Sequence, residues 1–340
     1  MVGAMRSAFS LDRQAMVSKK LYVYPYSVVL YLQWLITSNF KSQPMRALKY
    51  IALLLLISML FSCEDVVELD IDGDGGDVVI DAWINNKPET QEIRLTLSQS
   101  FFNSSTTILR DAEVRVTNET RGETYEFIVT DTASTYTFTP EAGNNIGEVG
   151  DIMSLSIEHR RGDFVAQTVI NRVPPLDSIQ QEFRDDQLFS DDGIYTQFFA
   201  RDPMGQGDAY WIQTFRNGNF LNNASQLNIA FDAGFDSGSR VDGLIFIPPI
   251  RELTNTINEN GLPSPWDIGD EIRVEIHSIS VEGFNFLEIA RDQILNGDNG
   301  IFTVPQANTR SNITRTNGQE ALGFFNVAAV SAMSDTIVEQ

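Results

Sequence analysis

Between Val78 and Val173 the chain repeats one pattern: short runs in which apolar or β-branched residues alternate with polar ones, each closed by a turn signal. VVIDAWIN, QEIRLTLS, AEVRVTNE, TYEFIVT, TYTFTP, IMSLSIEHR and FVAQTVIN all have period two, the period of a strand with one face buried. The segments NNKPE, ETRGE, RRGD and EAGNNIGEVGD separate them as turns. Strands this short and this regularly spaced predict an immunoglobulin-like or fibronectin-like β-sandwich over 78–173. Pro174 and Pro175 of VPPLDSI cannot both sit in a central strand, so a boundary falls at 173/174.

The rest, 174–340, reads as a second β-rich domain with one main helix. IYTQFFARD, AYWIQTFRN, GLIFIPPI and DEIRVEIHSISV are strand candidates, and LGFFNVAAVSAM closes with one more. EGFNFLEIARDQILNG predicts a helix near 283–296, with Phe284, Leu287, Ile289, Ile294 and Leu295 on one side. The polar stretch from Asn217 to Arg240 has no clear period and reads as a mobile or ligand-facing loop. The fold class is therefore mainly β. With 42% hydrophobic and 10% aromatic residues, the chain has the means to bury a core.

The formal net charge is −22. Seven basic residues (Arg6, Arg13, Lys19, Lys20, Lys41, Arg46 and Lys49) precede Cys63 and face only Asp12, so the acidic excess lies after it. Lys87 is the only lysine beyond that point. Such a surface repels phosphate backbones, which excludes nucleic acid as a partner, and repels anionic headgroups, so attachment to a membrane must be covalent or hydrophobic.

Cys63 is the only cysteine. MRALKYIALLLLISMLFSC places it after a short basic start and an apolar run from Tyr50 to Phe61, the length of a signal-peptide core and too short to span a bilayer. Leu60-Phe61-Ser62-Cys63 looks like a bacterial lipobox, although Phe61 is bulkier than the usual residue there. The expectation is a signal peptide over 45–62, lipidation of Cys63 with anchoring in the bilayer through its acyl chains, and an acidic tether over 63–77. Residues 1–44 then form an upstream extension, with translation starting at Met45. A second apolar stretch, LYVYPYSVVLYLQWLITSNF, keeps an N-terminal transmembrane helix as the alternative.

The order SCEDVVELD, VVIDAWINN, RVPPLDSI, a single late helix and VPQANTRSNI…ALGFFNVAAVS resembles the domain of unknown function 4249 family over about 60–335. The resemblance implies an outer-membrane lipoprotein of Bacteroidota, exposed at the cell surface beside a SusC-like TonB-dependent transporter, an outer-membrane β-barrel. It carries no catalytic motif.

No nucleophile paired with a base stands out, and neither His159 nor His277 has metal-ligand spacing. The chain is expected to be non-catalytic and without a cofactor, calcium excepted. In DIDGDGGDVVID, Asp70, Asp72, Asp74, Gly75 and Asp81 match positions of a calcium loop, but Asp77 stands where an apolar residue usually pins it, and a strand follows rather than a helix. Trp83, Trp211 and Trp266, with Tyr210, could build an aromatic sugar platform. Of these, Trp266 is the expected ligand-binding residue, because SPWDIGD reads as an exposed loop. The leading functional expectation is an accessory protein that holds or presents a ligand to a transporter. A stand-alone adhesin or glycan-binding module is the alternative, and a glycan or peptide hydrolase stands behind both.

Overall fold

The computed structural model describes residues 76–98, 106–130, 132–185, 190–236, 240–258, 261–296 and 309–339. Seven strands come first: β1 Val78–Asn85, β2 Gln91–Leu97, β3 Glu113–Asn118, β4 Glu123–Phe127, β5 Tyr136–Phe138, β6 Ile152–Glu158 and β7 Phe164–Val169. Next are β8 Leu176–Arg184, β9 Gly193–Ala200, β10 Ala209–Arg216, β11 Asn219–Phe220 and β12 Asn228–Phe231. The short helix α1 (Pro248–Arg251) precedes β13 Thr256–Ile257, β14 Pro263–Ser264 and β15 Glu271–Ile279. Helix α2 (Val281–Asn296), β16 Thr314–Arg315, β17 Leu322–Ala328 and β18 Val330–Thr336 complete the order. No helix among the described residues is long and apolar enough to cross a membrane.

The first seven strands form the expected sandwich. β1, β2 and β5 make one sheet, and β4, β3, β6 and β7 the other, a fibronectin-like division of three against four. The alternation seen in the sequence works as expected: Ile80, Ala82 and Ile84 of β1 enter one core with Val114 and Val116 of β3 and Leu155 and Ile157 of β6.

The sandwich is not closed by 78–173 alone. β17 pairs in parallel with β1, from Val79↔Leu322 to Asn85↔Ala328, and β16 adds to β7. Ile313, Phe325 and Val327 are members of the same core. A parallel partner needs a long crossover, and here everything from β2 to β16 lies between the two paired strands. Local pattern cannot announce a pairing across so much chain.

The second half places β9 over one face of a sheet ordered β11-β10-β15-β18, with β12 also on β10. Phe198 and Ala200 of β9 pack there against Tyr210, Ile212, Val274 and Ile276. Three details differ from the sequence reading. GLIFIPPI makes a single bridge, Arg201 to Ile245, and then turns helical, because Pro248 and Pro249 fit a first helical turn and not a strand. Residues 217–240 are not one loop: Asn217-Gly218 is a two-residue hairpin turn with φ of 50° and 78°, and Ile229, Ala230 and Phe231 of β12 are buried. LGFFNVAAVSAM is two strands, divided at Ala329, one in each half of the molecule. Ala329 is held at the crossing by Ser278, whose N–H donates to its carbonyl at 3.0 Å and whose hydroxyl accepts its N–H at 2.9 Å.

Helix α2 begins at Ser280, whose hydroxyl accepts the Gly283 N–H at 3.0 Å. It buries Phe284, Phe286 and Leu287 against Phe231 and Phe324, each worth about 1.5–3 kcal/mol of apolar burial. Leu295, expected on that face, is half exposed. Gly283 allows the close approach, since a Cβ there would stand 3.2 Å from Phe324 and 3.4 Å from Trp83.

Strand edges are covered by amide side chains that imitate a peptide unit. Asn255 accepts the Thr196 N–H at 2.8 Å and donates to the Thr196 carbonyl at 3.0 Å. Asn312 does the same at Phe325, at 2.9 and 2.7 Å. Gln181 joins β8 to the end of β18, donating to the Thr336 carbonyl and accepting the Val338 N–H. An unpaired edge invites aggregation, and these amides fill the rungs. Asn255→Ala is expected to cost about 2 kcal/mol, because it strands two buried backbone groups of β9. Urea unfolding with an unchanged slope and a lower midpoint checks this.

Candidate functional site

A crevice opens where the outward face of β1 meets one face of β10 and β15. The alternation that sends Ile80, Ala82 and Ile84 inward sends Trp83 and Asn85 out of the sandwich. On β10, Tyr210 and Ile212 enter the second core, which leaves Trp211 and Gln213 on the opposite face. Ile272, Val274 and Ile276 of β15 do likewise, so Arg273, Glu275, His277 and Ile279 share the Trp211 face. The register sets His277 beside Trp211 and Glu275 beside Gln213. The crevice has a volume of about 120 Å³, with Trp83, Asn85, Trp211, Gln213, His277 and Asn326 in its wall.

Trp83 is fixed from two sides. It stacks on Phe324 at 5.2 Å and meets Trp211 edge-on at 5.5 Å. Trp211 lies 6.4 Å from the His277 ring. Both indoles are half-buried, so they are held rigid while part of each surface remains open.

Beside the crevice an ionic cluster is built around the buried Glu275. Lys87 Nζ reaches Glu275 Oε1 at 2.8 Å and Glu89 at 3.0 Å. Arg273 bonds the same Glu275 oxygen, with its guanidinium 3.9 Å from the centre of the Phe215 ring. His277 Nε2 lies 3.0 Å from Glu275 Oε2. Burial opposes ionisation of Glu275, but the hydrogen bonds from His277 and Lys87 outweigh it and hold the carboxyl well below its usual range, at about 2. Burial pushes His277 down by more than Glu275 raises it, so the imidazole is neutral at pH 7. A neutral ring facing an ionised carboxylate donates from Nε2. Nδ1 is then an acceptor. Among the described residues, no serine, threonine or cysteine lines the crevice.

A second cluster comes from three loops. Carboxylate oxygens of Asp202, Asp232 and Asp242 lie within 4.8 Å of one another. An oxygen-only set suits a hard cation such as calcium. Each carboxylate is also tied to the loops around it. Tyr210 donates to Asp202 at 2.6 Å, the Gly207 and Asp208 N–H groups donate to Asp232, and the Gly205 N–H donates to Asp242 at 2.8 Å. Burial raises the Asp202 pKa; Tyr210 and the Gly243 N–H oppose the shift, and the neighbouring Asp208 and Asp232 add to it.

Several expected site residues fall elsewhere. Cys63, Asp70, Asp72 and Asp74 lie outside the described residues, as do the signal segment and most of the tether. Asp81 sits within β1 opposite Arg94 of β2; burial raises its pKa and the Arg94 charge opposes that. Among the described residues Asp81 joins no cluster of acidic groups.

Trp266 is not exposed. Its segment bridges back to Ile194 of β9, which turns the ring into the second core with only 3% of its surface accessible. Arg216 covers it at 5.1 Å. The aromatic residues that do converge are Trp83 and Trp211. Tyr210, next in sequence to Trp211, points the other way because strand neighbours alternate. His159 is structural: its Nδ1 accepts the Arg161 N–H at 3.2 Å and its Nε2 bonds Asp111 at 3.0 Å.

No curated protein matches the chain. The model of the family described as Domain of unknown function (DUF4249) matches residues 64–334, from the residue after Cys63 to the last strand. The match covers both halves of the fold and every wall of the crevice, and the chain therefore belongs to the DUF4249 family.

Proposed function

We propose that the protein is a non-catalytic binding protein, anchored in the outer membrane through acylated Cys63 and exposed at the cell surface, that holds or presents a ligand to a neighbouring β-barrel transporter. The observation that carries the binding half of this reading is the crevice. It combines two packed, part-open indoles with the polar side chains of Asn85, Gln213, His277 and Asn326. Sites of this composition bind by stacking and hydrogen bonding.

The anchoring half rests on the sequence from Met45 to Cys63 and on the acidic surface that follows. A net charge of −22 gives no electrostatic hold on anionic lipid, so the acyl chains must supply it. Cys63→Ser is expected to remove metabolic labelling by palmitate and to move the protein from the membrane fraction to the soluble one. Unchanged fractionation of the Cys63→Ser protein would contradict the proposed anchor.

A further inference from the structure

We propose that the crevice between β1 and β10–β15 recognises an uncharged, ring-sized group bearing hydroxyl or amide N–H donors, which gives a hydrogen bond to His277 Nδ1 and exchanges hydrogen bonds with Gln213. This deepens the binding-protein reading and rests on it.

Size is the first argument. A cavity near 150 Å³ takes one six-membered ring, and this crevice, at about 120 Å³ and open on one side, has room for a single ring and not for a large ligand.

Charge is the second. The ionisable groups at the crevice are His277 in its wall and, beside it, Lys87 and Glu89 from the β1–β2 turn with Arg273 and Glu275 from β15. Two cations meet two carboxylates, so the site draws neither anions nor cations. Lys87 and Arg273 already satisfy Glu275, which leaves no need for a third cation, and the histidine beside it stays neutral.

Hydrogen-bond direction is the third. Nε2 of His277 is committed to Glu275 as a donor, so the nitrogen left for a ligand is Nδ1, an acceptor. Gln213 lies next to Glu275 in the register and lines the crevice, and its side-chain amide has no hydrogen-bond partner among the described residues. It supplies one donor and one acceptor group. Trp211, beside His277, offers ring surface. Glu275 and Lys87 are positioning residues here: they fix the tautomer and touch no ligand.

The test is titration of the purified full chain in mild detergent, followed by tryptophan fluorescence and ligand-observed NMR. The probes are methyl α-glucopyranoside for the hydroxyl class, the cyclic dipeptide of glycine for the amide class, and glucuronate and glucosamine as charged rings. One uncharged class is expected to bind with a dissociation constant on the order of millimolar. Gln213→Ala, on the crevice wall, is expected to weaken it about tenfold with the melting temperature unchanged. Binding should be level above pH 6.5 and fall below it, as Nδ1 takes a proton and ceases to accept.

Two results would overturn the assignment: tighter binding of a charged ring, or affinity unchanged in Gln213→Ala. Tighter binding of a charged ring at this crevice would leave the binding-protein reading standing. If none of the four probes binds and none perturbs tryptophan emission, both the assignment and the crevice as a ligand site are lost.

Discussion

Gly323→Ala is expected to destabilise the protein by about 3 kcal/mol or more. Gly323 lies in β17 opposite Ile80 and has φ of 107°, a conformation that L side chains rarely adopt. A Cβ there would stand 1.8 Å from the Ile80 carbonyl oxygen. The neighbour is backbone, so relief requires the two strands to part. That separation would open the parallel pair that closes the sandwich. It would also move Phe324, on which Trp83 stacks, so the crevice should be lost with the fold. Gly318→Ala is the control: its φ of 86° is also left-handed but nothing lies within 4 Å of a Cβ, and a loss of only about 1 kcal/mol is expected. Equilibrium denaturation of the two variants should separate them clearly. Similar losses in both would show that β17 does not lie against β1 as described.

Glu275→Gln carries the second large effect, about 3 kcal/mol. The substitution keeps shape and removes charge, leaving Lys87, Arg273 and a buried imidazole around a neutral amide. The double variant Lys87→Met with Glu275→Gln should recover part of the loss, since it removes a cation left with only the half-exposed Glu89 as partner.

The same cluster sets the acid sensitivity. Glu275 is depressed in the folded state, so its contribution is complete above its ordinary value of 4.5 and is lost as pH falls toward about 2. His277 is depressed as well, and the unfolded chain binds its proton first. Stability therefore begins to fall as pH drops through 6.5. A plot of stability against pH should show both windows in the wild type. In Glu275→Gln the lower window should shrink.

Much of the fold could be read from the sequence where the information is local. The seven period-two runs of 78–173 became β1 to β7, because a strand with one buried face must alternate. The helix after Ser280 also formed where its apolar spacing placed it. Asn217-Gly218 was a legible hairpin turn inside a stretch that reads as loop, since that pair tolerates left-handed backbone. The return of β17 to β1 was not legible: LGFFNVAAVSAM looks the same whether it serves one sheet or two. The site shows the same division. Trp83 and Trp211 were visible as aromatic candidates, but which of four aromatic rings meet depends on long-range register. The bridge at Ile194 sends Trp266 into the core although its Pro- and Gly-containing segment suggests exposure. Gln213 and the Lys87–Glu275 pair carry no motif, and only the meeting of β1 with β10 and β15 makes them neighbours.

The most direct measurement is purification of the full protein from its own membranes in mild detergent, followed by mass spectrometry of its N-terminus and of whatever accompanies it. The expected result is a mature chain that begins at a lipid-modified Cys63, with an outer-membrane β-barrel present in near-equal amount. An intact N-terminus upstream of Cys63, or an acylated protein that purifies with no barrel, would contradict it.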